Sequence, residues 1–390
     1  MKMEISTRGL CIFLFQCAYI ADAVLGSDPR LYVFSKAVTV LFWGVMILYI
    51  AKDLQFKIHT GVGFLIALLF TLFCAASCLW AANKSLAAFQ MNTQWQLLLL
   101  FMFAYILLRE TGDIEPYFKA IYLAGFAMLL FTIYRYGFSG FFRQMLSGVR
   151  MGGEITNENT FGMAFSQALI MAYYYYLKSR KKIHFASIGI FLIFALSSGS
   201  KKALLMCIVG VIGLSVFYYG FHRIWKTVLV AAAVAIVGYY LLQLPMFSVI
   251  NNRLASYLSG DLNVSDLNRM NHIQKGLSLI KERPILGWGL QNYSYVTGTG
   301  TYSHNNFIEV FVSTGIIGFT IYYLMYVIAG LKVLKRFVQK REVTLIVLLI
   351  LTMISFVFGY GMVQFYSKGP WLFFAVLLAV ADSIKNDSRY

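Results

Sequence analysis

"YSHNNFIEVFVSTGIIG", residues 302–318, runs a polar cluster, Ser303-His304-Asn305-Asn306, straight into an apolar stretch of helical period. The stretch carries one acid, Glu309, and a Gly315-x-x-Gly318 pair, and stays apolar to about residue 330. A helix rises about 1.5 Å per residue, so about 20 apolar residues cross the hydrocarbon of a bilayer. The stretch reads as the entrance to a membrane span with an imidazole at its mouth.

Similar runs recur along the 390-residue chain. Twelve spans are predicted, near 9–26, 31–51, 61–80, 86–108, 117–136, 159–177, 183–199, 203–220, 225–244, 305–330, 343–361 and 370–385. Composition agrees: 59% of residues are hydrophobic and 13% charged, against about 45–50% and 25% in soluble domains. No small-residue cleavage site follows the first run, which reads as a retained helix rather than a signal peptide. The expected fold is an all-α polytopic membrane protein, one integral membrane domain over residues 1–390. It has about twelve transmembrane helices and two outward-facing loop segments, near 137–158 and 245–304.

The net charge of +17 comes mostly from short connections. Lys178, Arg180, Lys181 and Lys182 fill one, and Lys332, Lys335, Arg336, Lys340 and Arg341 another, on the same side as Lys52, Lys57, Arg223 and Lys226. That is the positive-inside bias, and it puts both termini in the cytoplasm. The basicity sets topology, and no nucleic acid is expected as partner. Five cysteines (Cys11, Cys17, Cys74, Cys78, Cys207) all fall within spans, which argues against a disulfide framework.

The segment 245–304 is far longer than the usual helix–helix connection of about 2–8 residues. Within it Leu267, Met270, Ile273, Leu277 and Ile280 share a helical face, with Ser265 or Asp266 as start and Pro284 as stop. Such a helix lies along the membrane surface. Arg269 borders the stripe, either at headgroup level or as a snorkelling side chain.

Candidate chemistry gathers in the outward segments. His59, His184 and His222 fall on the cytoplasmic side, His272 and His304 outside. Ser303 and Asn305 flank His304 and can fix its tautomer. In "SGVRMGGEITNENTFGMAF" Arg150 precedes Gly152 and Gly153, with Asn157 and Asn159 at the entry to a span. Glycines admit a ligand close to the backbone and asparagines offer neutral donors and acceptors; a turn plus a helix cap reads equally well. In "SSGSKKALL", residues 197–205, Lys201 and Lys202 sit on the side that positive charge avoids, which suggests an anion to hold, headgroup phosphate included. The outer acids Glu154, Glu158, Asp261, Asp266 and Glu282 lack the spacing of a glycosidase dyad or a metal cage. Neither metal nor cofactor is expected. Gly298-Thr299-Gly300 lacks the strand-to-helix setting of a nucleotide fingerprint and reads as a turn.

Together these pieces resemble the O-antigen ligase and O-antigen polymerase (Wzy) superfamily. His304-Asn305 followed by Gly315-x-x-Gly318 is similar to its histidine motif. Arg269 with "ERPILGWGLQNY" (282–293) is similar to its arginine and P-x-x-G-x-G segment, "RMGGEITNEN" (150–159) to its other outer-loop arginine, and "SGSKK" to its S-G-S-R turn. Two positions depart: Ile273 stands where the family often has Trp, and Lys201 where it often has arginine, which keeps charge but loses the bidentate fork.

The resemblance implies metal-independent glycosyl transfer on the outer face of the cytoplasmic membrane. The donor is an undecaprenyl-diphosphate-linked glycan. The acceptor is another lipid-linked repeat unit for a polymerase, or lipid A core for a ligase. Membrane lipids and a chain-length regulator are the further candidate partners. Candidate catalytic residues are His304, Arg150 and Arg269, with Asn157, Asn159, Lys201, Lys202, His272 and Asn305 as candidate substrate contacts. The lysine-bearing S-G-S turn inclines the reading to a polymerase, with a ligase as alternative. A flippase or other transporter is the competing class, but transport sites put ionisable groups near the bilayer midplane, where this chain has only Asp22, Lys36 and a few others.

Overall fold

The computed structural model describes residues 6–52, 61–260 and 264–383. Lys57, His59 and Asp261, named above, lie outside the described residues, as does the side chain of Ser265. Among the described residues there are sixteen α-helices and no strand: α1 Thr7–Leu25, α2 Tyr32–Lys52, α3 Val62–Ser77, α4 Lys84–Thr111, α5 Glu115–Tyr136, α6 Phe138–Leu146, α7 Glu158–Ser179, α8 Lys182–Ser197, α9 Lys201–Tyr219, α10 Ile224–Leu242, α11 Ser248–Leu258, α12 Val264–Glu282, α13 Tyr293–Thr297, α14 Asn306–Lys340, α15 Val343–Gly359 and α16 Lys368–Ser383.

Each of the twelve predicted stretches coincides with one helix, α1–α5, α7–α10 or α14–α16. Seven of these (α1, α2, α4, α5, α9, α10 and α14) are long and apolar enough to cross a membrane, and α3, α8 and α15 are shorter apolar helices. Helices α7 and α16 bury most of their length. The protein is an all-helical polytopic membrane protein. Side-chain caps mark several starts: Asn83 accepts from the Leu86 amide at 3.1 Å, and Ser200 from the Ala203 amide at 3.4 Å, satisfying amides that a helix start leaves open.

The chain divides into two compact units, residues 1–45, 115–261 and 341–351, and residues 46–114, 262–340 and 352–390. In the first, α7 packs on α5, α8 and α9 through Phe161, Phe165 and Phe194, whose successive ring centroids lie 4.9 and 5.0 Å apart. Phe247 and Ile250 pack with Leu196, joined by Leu204 and Leu254. That contact seats α11 beside the 198–200 turn. In the second unit α3, α4, α14 and α16 pack together around Phe70, Tyr322, Phe365 and the fully buried Trp371.

Two expectations are corrected. Lys332, Lys335, Arg336 and Lys340 do not fill a loop: α14 continues to Lys340. Val333 and Phe337 keep one face buried at helical spacing, and the Lys332 ammonium meets the buried Asp382 carboxylate at 2.9 Å. Helix α12 begins at Val264, so Asp266 stands in its first turn, where a negative charge meets the helix dipole favourably, rather than capping it. Its expected stripe also divides. Ile273 and Ile280 pack on Leu279, Tyr293, Ile308 and Val312, whereas Leu267, Met270 and Leu277 are exposed.

Helix α14 is broken at Gly315, which has φ 62° and ψ −170°. The segment 284–289 crosses the break. Trp288 and Gly289 donate their amides to the carbonyls of Val312 and Ser313 at 2.7 and 3.0 Å, and the Ile316 amide donates to the Pro284 carbonyl at 2.8 Å. Irregular backbone at a membrane helix survives only where its polar groups are met by protein or water. Here the Pro-x-x-Gly-x-Gly segment meets them.

Candidate functional site

In the first unit the Arg150 side chain lies against the turn between α8 and α9. Its Nε–H donates to the Ser198 carbonyl at 2.8 Å and its Nη2 to Asn159 Oδ1 at 3.2 Å. Glu158 Oε2 is 3.6 Å from Nη1. Behind it the Met151 amide donates to the Ser197 carbonyl at 2.9 Å, tying the 150–153 loop to the turn. Gly199 is the pivot. With φ 62°, its position takes a glycine most readily, and a Cβ there would stand 3.0 Å from both Arg150 Cγ and Val249 Cγ1. The S-G-S signature thus makes room for the arginine beside it.

Arg253, on α11, donates from Nη1 to the Gly199 carbonyl at 2.9 Å. Lys201 and Lys202 are the first residues of α9, with the Lys201 ammonium 4.7 Å from the Tyr257 ring centroid. Four cations therefore gather where α9 presents the positive end of its dipole, a setting made for an anion. The structure brings Arg150, Asn159, Lys201 and Lys202 together, as candidates named from the sequence. Asn157 is spent differently: it caps α7, accepting from the Asn159 amide at 2.9 Å. Sequence reading missed Arg253 and the Glu158 pairing. Glu158 was legible in principle, eight residues from Arg150 at a helix start. Arg253 was not, because its place depends on how α11 seats.

In the second unit His304 sits just before α14 with φ 56°, a left-handed conformation that is uncommon for a non-glycine residue. It is held from both sides. The Ser303 amide donates to Glu309 Oε2 at 2.8 Å, and the Ser303 hydroxyl donates to the Asn305 carbonyl at 2.8 Å. Asn305 Oδ1 accepts the Phe307 and Ile308 amides at 2.9 and 3.2 Å, capping α14. The Ser303 hydroxyl and Asn305 Oδ1 are engaged with the backbone of the helix start. Asn306 anchors the far side, accepting the Gln364 and Phe365 amides at 2.8 and 3.1 Å.

Two rings flank the His304 imidazole, Tyr302 at 4.3 Å and His272 at 5.5 Å between centroids. Tyr293 donates its hydroxyl proton to the His272 carbonyl at 2.7 Å, and its oxygen stands 3.3 Å from His272 Nδ1. With that proton committed, the neutral imidazole bears its hydrogen on Nδ1 and leaves Nε2 as an acceptor. Burial, and then the charge of Lys275, holds the His272 pKa below the usual histidine value. Burial, and then Glu309, pushes Tyr293 up to about 12. Arg269 lies one turn before His272 on α12 and pairs with Asp266 at 3.7 Å. His304 and His272 are thus neighbours, with Arg269 on the same helix as His272.

A family model described as O-antigen ligase (Wzy_C) matches residues 185–323. The matched stretch contains Lys201, Lys202, Arg253, Arg269, His272, Asn305 and His304; Arg150, Asn157 and Asn159 precede it. No curated relative matches the chain. The match supports the O-antigen ligase and polymerase superfamily, membrane enzymes of surface glycan assembly.

Proposed function

We propose that the protein is a metal-independent glycosyltransferase of the cytoplasmic membrane. It polymerises undecaprenyl-diphosphate-linked repeat units on the outer face, with both termini inside. The observation that carries the reading is the gathering of Arg150, Arg253, Lys201 and Lys202 at the α9 start. In the transfer, an acceptor hydroxyl oxygen bonds to the anomeric carbon of the donor glycan. The sugar–diphosphate bond breaks, and its electron pair leaves on a diphosphate oxygen. Cations preset toward that growing charge lower the barrier without a divalent ion. The acceptor proton goes to an imidazole nitrogen of His304, a contribution of about 10²–10⁴-fold for general bases. Arg269 is assigned to the anionic part of the donor or acceptor.

The test is glycan length on the carrier lipid and at the cell surface. His304→Ala should leave single repeat units on their acceptor, with the variant shown by blot to be in the membrane. Long chains retained on the carrier lipid would instead identify a ligase, the activity named in the matching family's description. Normal surface chains would overturn the catalytic reading of His304.

A further inference from the structure

Glu309 is an acid in the first turn of a membrane-length helix, with only 1% of its surface exposed. Ionisable groups are expensive in such a place and are kept for a purpose. Its carboxylate does not point along the helix surface to a lysine or arginine among the salt bridges of the described residues. It reaches back past the Asn305 cap to the Ser303 amide at 2.8 Å. The helix closes the same loop from the other direction, since the Glu309 amide donates to the Asn305 carbonyl at 2.9 Å. An ordinary capping box returns to the cap residue itself. This one returns two residues further, and the turn it spans contains His304 in its left-handed conformation.

We propose that Glu309 is a positioning residue that fixes the backbone of His304 and so aims the imidazole. The proposal rests on the reading of His304 as general base. Without the carboxylate, the Ser303 amide loses a charge-assisted acceptor inside a buried turn. The left-handed backbone at His304 then loses its upstream restraint, and extended conformations that turn the ring elsewhere become accessible. Aim matters because small displacements of a catalytic group cost about 10²-fold in rate. A glutamine at 309 retains an acceptor oxygen of nearly the same reach, whereas leucine retains volume alone.

The experiment compares Glu309→Gln and Glu309→Leu with the parent protein, purified in detergent. Two readouts are taken: glycan transfer, and the rate at which diethyl pyrocarbonate modifies His304, measured by peptide mass spectrometry with His222 as internal reference. Glu309→Leu should lower transfer by about 10- to 150-fold, the loss of one hydrogen bond to a charged group, and change the His304 modification rate. Glu309→Gln should restore both most of the way. Loss of transfer with an unchanged His304 rate would overturn the proposal, as would a leucine variant that is normal in both. An altered His304 rate in Glu309→Leu, combined with full transfer by His304→Ala, would leave the positioning role standing while removing the base assignment on which its purpose rests.

Discussion

Gly315→Ala should be among the most damaging single-methyl additions in the second unit. The backbone there, φ 62° and ψ −170°, lies in a region that is essentially glycine's, and holding another residue in it costs about 1–3 kcal/mol. The new Cβ would also overlap the Ile285 carbonyl and the Leu286 amide nitrogen. These are backbone atoms, so no side-chain rotation relieves the overlap. The crossing segment must shift, and its three hydrogen bonds to α14 weaken at about 0.5–1.5 kcal/mol each. The total is about 2.5–7.5 kcal/mol. Alanine's better helix propensity returns about 1 kcal/mol only if α14 straightens, which requires the crossing to leave altogether.

Thermal unfolding of detergent-purified protein, followed by fluorescence-detected gel filtration, measures this. A fall of about 3–9 °C is expected from the usual scaling of stability to Tm in a chain of 390 residues. Gly238→Ala is the control: nothing lies within 4 Å of its Cβ, so a shift within about 1 °C is expected. Gly287→Ala, whose Cβ would stand 2.6 Å from the Gly315 nitrogen and the Val312 carbonyl oxygen, should resemble Gly315→Ala. The double variant should lose less than the sum, because both break one crossing. A Gly315→Ala protein with the parent's Tm, or strict additivity with Gly287→Ala, would refute the account of the break.

Arg150→Lys should lower donor affinity or transfer despite keeping charge, since the single ammonium nitrogen loses the planar fork that meets Ser198 and Asn159 from two separate nitrogens; Arg150→Ala should lose about 10- to 150-fold, read by binding of a lipid-linked diphosphate. The His272 pKa is depressed on folding, so the unfolded chain binds more protons just below the ordinary histidine pKa. Stability from this group is complete above about pH 6.5 and is lost as pH falls from there through the folded value; a Tm–pH series should show that slope in the parent and a shallower one in His272→Gln. Topology is read by a membrane-impermeant thiol reagent on Ser259→Cys in a cysteine-free background: labelling in intact spheroplasts agrees with an outward 245–304 segment, and protection contradicts it.

The helices were legible because a membrane span is announced by length and hydropathy, properties of a run rather than of its neighbours. The misreadings came where charge and apolarity share one helix. Lys332 to Lys340 looked like a connection, because their buried partners, Val333 and Phe337 against the unit and Asp382 on α16, are invisible in a linear pattern. The same reason hides Arg253. His304, Arg150 and the S-G-S lysines stood out because each is polar where apolar residues or the opposite charge are expected. The roles of Asn157 and Asn305 were ambiguous in sequence, since an asparagine at a helix entry suits a cap and a ligand equally. Their side-chain oxygens are used as caps.

The stretch 302–318 concentrates these lessons. Within seventeen residues it places an imidazole in a strained backbone, restrains that backbone by a buried acid and an asparagine cap, and breaks its own helix at Gly315. The break lets segment 284–289 bond directly to α14. That segment leads through residues 290–292 into α13, whose first residue, Tyr293, orients His272. The His304 loop and the His272 ring are thereby tied to the same helix, one by sequence and the other by hydrogen bonds. Function in a lipid setting asks polar groups to be both exposed to substrate and fixed against wandering. Here Glu309 and Asn305 fix the His304 turn, while the backbone groups that the break in α14 sets free fix the 284–289 segment, so Gly315 belongs to the geometry of the candidate site as much as to the helix that carries it.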